Sequence, residues 1–254
     1  VGVLDDLIAA APDGALEDVR VGVFWTAVVV KVHGRRQCGL ASSLRVEDDH
    51  HHGGEPAVRR AGTLLKFPAR ELAALARSAS FLEAGIGVAT INALLPPPED
   101  LGPELNAEDI IAELGAGRRV ALVGHFPFVP RLRERVGALT VLEQEPRGED
   151  LPASAARTAI PEADVLAVTG TALVNHTFEN LLALRRPGAM VVVLGPTTPL
   201  STVLFDHGVD VLSGSVVEEI DSVVCAAGEG ANFRQLHRRG VRLVTVRRGR
   251  QREA

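Results

Sequence analysis

The chain has 254 residues, of which 46% are hydrophobic and 23% charged, with a formal net charge of −5. That length suits two domains and that balance supports a packed core, which excludes wholesale disorder and a chain-wide basic surface for nucleic acid. Cys38 and Cys225 lie far apart and form no CxxC, so neither a disulfide scaffold nor a thiolate zinc site is indicated, and both read as small buried hydrophobes. The apolar stretches are broken by charge, Gly or Pro short of the ~20 residues a bilayer span needs. The chain opens Val1-Gly2-Val3-Leu4-Asp5-Asp6, acidic where a secretory signal is basic. The expectation is a cytoplasmic protein with no membrane partner.

In chain order, Leu4, Leu7 and Ile8 give one helical face, stopped by Pro12-Asp13-Gly14. Residues 19–32 are rich in β-branched and aromatic side chains. With a turn at His33-Gly34-Arg35-Arg36 and a second strand over 37–46, they predict a hairpin. Pro68 opens a helix carrying Leu72, Leu75, Ala76, Ala79 and Leu82. A second helix over 83–95 is apolar nearly all round and holds five small residues, Ala84, Gly85, Gly87, Ala89 and Ala93, which let another backbone approach. Such a helix needs cover on more than one side, which either the second half of the chain or a second copy of it could supply, and the expectation is a homodimer. Pro96-Pro97-Pro98 begins a linker.

Beyond it, Asn106 caps a helix carrying Ile110, Ile111 and Leu114. Apolar runs at 120–124, 139–143, 164–170, 189–195, 209–212 and 242–246 then alternate with helical or looped segments. Continuous apolar runs suit a parallel sheet covered on both faces. The expected architecture is α/β: a small α+β domain over 1–100, then a doubly wound, Rossmann-like ligand-binding domain over 101–254.

Ligands of such a sheet bind beyond the carboxyl ends of its strands. The residues there are Gly124, His125 and Phe126; Glu143; Gly170, Thr171, Asn175 and His176; and Gly195 and Thr197. Gly124-His-Phe-Pro-Phe128 is not GxGxxG, and Pro127 lacks an N–H where a phosphate cradle needs one, which disfavours an ordinary NAD-type site. Glu143 follows Gly124 by 19 residues, where an acid binds a ribose in dinucleotide sites. It is either a ribose ligand, for S-adenosylmethionine or a free nucleoside, or a solvated strand end. His125 between two Phe is either a packed imidazole or a metal ligand or general base. His176 has a similar placement, and Asn175 is a candidate helix cap. Asp48-Asp49-His50-His51-His52 can bind a divalent transition metal, although consecutive loop residues rarely converge on one ion. The tail 234–254 holds eight Arg against Glu253 but no interleaved aromatic, as a solvated terminal helix and strand would.

Six ordered segments then carry a resemblance: 123–128, Val141-Leu-Glu143, Gly148-Glu-Asp-Leu-Pro152, 160–164, Thr169-Gly-Thr-Ala-Leu-Val-Asn175 and Leu194-Gly-Pro-Thr-Thr-Pro-Leu200. Together they resemble the putative heavy-metal chelation family of prokaryotic proteins, and 38–45 and 80–95 match it more loosely. The resemblance implies an enolase N-terminal-like domain before a Rossmann-like one, with the site in the cleft between them. The chain differs from the family in carrying His176 where Gly is typical, and in the His50–His52 run. The leading expectation is binding of a small polar ligand or metal chelate by His125, Glu143, Thr171, Asn175 and Thr197, with its processing left open. The alternative is an enzyme using S-adenosylmethionine or a nucleotide-type cofactor, with Glu143 on the ribose and His125 as catalytic base.

Overall fold

The computed structural model describes residues 2–44, 56–95, 97 and 106–249. Helix α1 (Val3–Ala10) buries Val3, Leu7 and Ile8, as its spacing requires. The run at 19–32 is not one strand. It divides into β1 (Ala15–Val21) and β2 (Trp25–Val32) at a turn in which the Gly22 N–H donates to the Trp25 carbonyl. β3 (Arg35–Ser42) completes an antiparallel sheet in the order β1-β2-β3. The β2–β3 turn is tighter than expected: His33 and Gly34 alone form it, with φ of 48° and 80°. Two consecutive positive φ values match the right-handed twist of the flanking strands.

α2 (Ala69–Ala73) runs into a 3-10 turn, Ala74–Arg77, and stops. The single helix expected through residue 82 is therefore broken. Ser80 instead caps the next helix, α3 (Phe81–Leu94), its hydroxyl accepting from the Glu83 N–H. That side-chain hydrogen bond offers the backbone a start that continuation of α2 would deny. α3 buries every residue from Glu83 to Ile91. Its small residues are needed for contact: a Cβ on Gly87 would lie 1.9 Å from the Ala76 nitrogen, and one on Gly39 of β3 would lie 2.1 Å from the Ala89 carbonyl oxygen. β2 and β3, α2 and its 3-10 turn, and the Rossmann-like half all pack on α3. Cover comes from within the chain, so the argument from α3 to a homodimer loses its premise.

The second half supplies α4 (Ala107–Gly115), β4 (Arg119–Val123), α5 (Val129–Arg133), β5 (Ala138–Glu143), β6 (Leu151–Pro152), α6 (Ala156–Ala159) and β7 (Val165–Thr169). It continues through α7 (Thr171–Val174), α8 (Phe178–Ala183), β8 (Met190–Leu194), α9 (Val203–Asp206), β9 (Val211–Val217), α10 (Ile220–Gly228), α11 (Phe233–His237) and β10 (Val241–Arg247). The sheet order is β10-β9-β8-β7-β4-β5-β6, parallel except for β10. Val120, Leu122, Val165 and Ala167 face α4 and α5, while Ala121, Leu166 and Val168 face α1, α3, α8 and α9. This is the Rossmann-like arrangement beside a small antiparallel unit. The last strand turns antiparallel because the chain returns through α10 and α11 to the same edge.

α10 and α11 have a second role. Their Val223, Val224, Ala227 and Leu236 cover Ala27, Val29 and Leu40 on the outer face of the small sheet. α3 covers the inner face at Val28, Val30 and Val32. Residues Thr26 to Val30 of β2 are accordingly 0% exposed, which explains a continuous apolar run in an antiparallel strand. Cys225 is a correction: it lies exposed on the outward side of α10, its thiol raised above the usual range by the Glu229 carboxylate. Cys38 is half-buried in β3. Among the described residues no helix is long and apolar enough to cross a membrane.

Glu83, 2% exposed, is the charge buried where α3 begins. It accepts from the Arg59 guanidinium at 2.8 Å, the Arg59 N–H at 2.9 Å and the Ser78 hydroxyl at 2.6 Å. The Arg59 bridge outweighs burial and holds the Glu83 carboxyl down at about 2. A folded value below the unfolded one adds stability that is complete above the unfolded value and is lost as pH falls through the folded one. Acid titration should therefore remove up to about 3 kcal/mol through Glu83 between about pH 5 and pH 2. Denaturant midpoints across that range, compared with those of Glu83→Gln, check it: the variant should be less stable near neutrality and lose less on acidification.

Candidate functional site

The chain leaves β4 toward β5 on one side and returns to β7 on the other, so the order of the sheet switches between β4 and β7. A cavity of about 810 Å³ opens there, beyond the carboxyl ends of β4, β5, β7 and β8. Gly124, His125, Phe126, Glu143, Thr171, Asn175, Gly195 and Thr197 all line it. Ligand-sized clefts at this point of an open α/β sheet are the default binding sites of such folds.

A glycine follows β4, β7 and β8 directly. Gly124 and Gly195 have φ of 104° and 102°, a region that L side chains rarely adopt. Both still donate an N–H to the adjoining strand, to Leu142 and Ser213, before the chain turns away. Gly170 does not line the cavity. It is buried beneath the rim, where a Cβ would lie 2.6 Å from the Thr198 nitrogen. The Phe126 ring packs against Gly124 and stacks on Phe128 with centroids 5.1 Å apart, forming an apolar wall.

His125 is held from two sides. Its N–H donates to Glu143 Oε2 at 2.8 Å, and its Nδ1 lies 2.7 Å from Asp150 Oδ2. The Asp150 side chain is 2% exposed and also accepts from the Arg147 N–H at 3.1 Å. The Asp150 carboxyl beside Nδ1 favours the tautomer with its proton on that nitrogen and the lone pair on Nε2. No hydrogen bond to Nε2 occurs among the described residues. Glu143 is more committed than the ribose reading requires: its Oε2 takes the His125 N–H and its Oε1 the Gln144 N–H. It braces the first loop of the rim, and a ribose would have to use its remaining lone pairs.

The opposite wall is a chain of hydroxyls. Thr169 Oγ1 donates to Thr171 Oγ1 at 3.2 Å. Thr171 Oγ1 is 3.4 Å from Ser42 Oγ, and Ser42 Oγ is 3.2 Å from Thr197 Oγ1, which also accepts the Ser42 N–H at 3.0 Å. Ser42 ends β3, so the small sheet contributes directly to the rim. Asn92 of α3 donates to the carbonyls of Leu40 and Thr197 and ties the same two elements. Asn175 serves locally, its Oδ1 accepting from the Thr177 hydroxyl and N–H.

His176 does not join His125. It sits after the single turn of α7 at φ 58°, in a separate crevice with Gly2, Asp5 and Glu179, its Nε2 2.8 Å from the Ala76 carbonyl oxygen. That positive φ is the physical reason a glycine suits the position. The two candidate imidazoles therefore lie in different crevices. The His50–His52 run lies outside the described residues. Among the described residues no group of three or more His, Cys, Asp or Glu side chains converges. A bare ion held by these protein ligands alone does not fit. An ion that brings its own ligands and takes one imidazole does.

Ser42 and Arg157 line the cavity and Asp150 backs His125, and the strand-end rule overlooks all three. Asp150 is inside the Gly148–Pro152 segment, which marks the resemblance but carries no periodic signal. Ser42 comes from the other half of the chain, and Arg157 from the four-residue α6.

Two family models, both described as putative heavy-metal chelation, match residues 4–95 and 106–246. The fold is similar to that of a protein of unknown function of the DUF364 family from Desulfitobacterium hafniense DCB-2, with a TM-score of 0.82 and 25% identity over 97% of this chain and 98% of that one. It is also similar to one of unknown function from the same family in Pyrococcus horikoshii, with a TM-score of 0.80 and 20% identity over the same shares. No curated protein matches the chain. The matched segments cover most of the sequence, and the chain belongs to the putative heavy-metal chelation family.

Proposed function

We propose that the units spanning 1–100 and 101–254 enclose one cleft that binds a small polar ligand or metal chelate. The observation that carries this reading is the His125–Asp150 pair, which presents a single oriented imidazole at a cavity of about 810 Å³. One imidazole suits an ion already wrapped by a chelator, because neutral Nε2 is a good donor to a divalent transition metal and the chelator fills the other positions. The hydroxyl wall of Ser42, Thr171 and Thr197 would receive the polar remainder. The same Nε2 is placed to take a proton from a bound ligand, and processing would use it.

Zinc citrate, titrated calorimetrically into protein free of any affinity tag, should bind with a stoichiometry of one. His125→Ala should abolish this. Asp150→Asn should weaken it by about 10–100-fold, the usual cost of removing a carboxylate behind a ligating imidazole. Equal binding by the parent and His125→Ala would refute the reading.

A second reading rests on Glu143 lining the cavity at the end of β5. There an adenosyl ligand could set its ribose against the carboxylate. S-adenosylmethionine at ~100 times its dissociation constant should then add ~2.7 kcal/mol of stability. Thermal melts decide it: no shift with S-adenosylmethionine, or the same shift in Glu143→Gln, removes this alternative.

A further inference from the structure

We infer that the ligand of this cleft carries a carboxylate and that Arg157 receives it; the inference rests on the cleft being the binding site. Arg157 lines the cavity from α6 and has neither a hydrogen bond nor an ion pair among the described residues. Arg157 is the one arginine or lysine of the described cavity wall, whereas the bridged Arg131, Arg186 and Arg247 lie outside it on Glu108, Asp164 and Glu113. The other formal charge in the cavity wall, Glu143, is occupied by two main-chain N–H groups. Arg157 is therefore the uncommitted charge of the wall. It selects for an anion.

The wall also discriminates among anions. A phosphate dianion wants several donors and the free amides of a helix start. Pro127 supplies no N–H in the first loop, and α5, α6 and α7 are only five, four and four residues long. Ser42, Thr171 and Thr197 already spend hydrogen bonds on one another. A carboxylate asks for less: its two oxygens match the planar fork of one guanidinium. The rest of the ligand would then lie between the Phe126 wall and the hydroxyls. On this account Arg157 is the specificity residue for an organic acid.

Citrate and inorganic phosphate, titrated separately at matched ionic strength into the whole chain, are suitable probes. Citrate should bind the parent at least about tenfold more tightly than phosphate. Arg157→Gln should weaken citrate about tenfold, the loss of one charge-assisted pair, and Arg157→Lys should restore only part of it. Arg118→Gln, exposed in the turn before β4, is the control and should bind as the parent does. Melting curves of all three variants establish that they fold. Citrate binding unchanged in Arg157→Gln, or phosphate binding as tightly as citrate, overturns the inference. If in that case zinc citrate still binds through His125, only the carboxylate assignment fails. If zinc citrate does not bind at all, the reading of the cleft fails with it.

Discussion

Strand β2 has no exposed face through Thr26–Val30, and that burial governs the architecture. Its inner side chains pack on α3 and its outer ones on α10 and α11, elements from opposite ends of the sequence. Hydrophobic burial on both faces of one strand requires all three layers to be present together. The small sheet alone would leave Ala27, Val29 and Leu40 in water. The Rossmann-like half alone would expose Val223, Val224 and Leu236. The two halves meet the chain's need for a core as one body, and α3, with no polar face of its own, is enclosed by both.

The cleft is a consequence of that packing. With β2 and β3 clamped, the end of β3 falls at the carboxyl ends of β7 and β8. Ser42 there exchanges hydrogen bonds with Thr197 and Thr171. Asn92 reaches from α3 to the Leu40 and Thr197 carbonyls and fixes the join. On the other side, buried Asp150 orients His125, and Glu143 takes the main-chain N–H of the same residue. Polar groups held by neighbours before a ligand arrives cost little to order on binding. The hydroxyl wall of the cleft is held by the contacts that join the halves, and the His125 wall by contacts within the second half.

Much of this was legible in the residues. The apolar runs placed the central parallel strands to within a residue or two, because buried parallel strands leave an unbroken pattern. The strand-end rule found His125, Thr171 and Thr197 because the topology puts such positions on one rim. What failed did so for identifiable reasons. Residues 19–32 look like one strand, because Val21, Val23 and Phe24 beside the turn are apolar although exposed, so no polar interruption marks the break at Gly22. Leu72 to Leu82 keep a helical spacing across a break set by the Ser80 cap. His176 follows the right strand, but α7 ends after one turn and directs it to Ala76 instead of the cavity. Asp150 and Arg157 sit on irregular or very short elements, where no periodicity announces a side chain's direction.

The most direct test of the account is the state of one ring. Nitrogen-detected NMR of the imidazoles, with His125→Ala to assign the resonance, reports which nitrogen carries the proton and which meets a ligand. The account requires His125 to be protonated at Nδ1, toward Asp150, with Nε2 shifting strongly on addition of zinc citrate while His176 stays unchanged. An Nε2-protonated His125, or a zinc citrate response confined to other histidines, would contradict it.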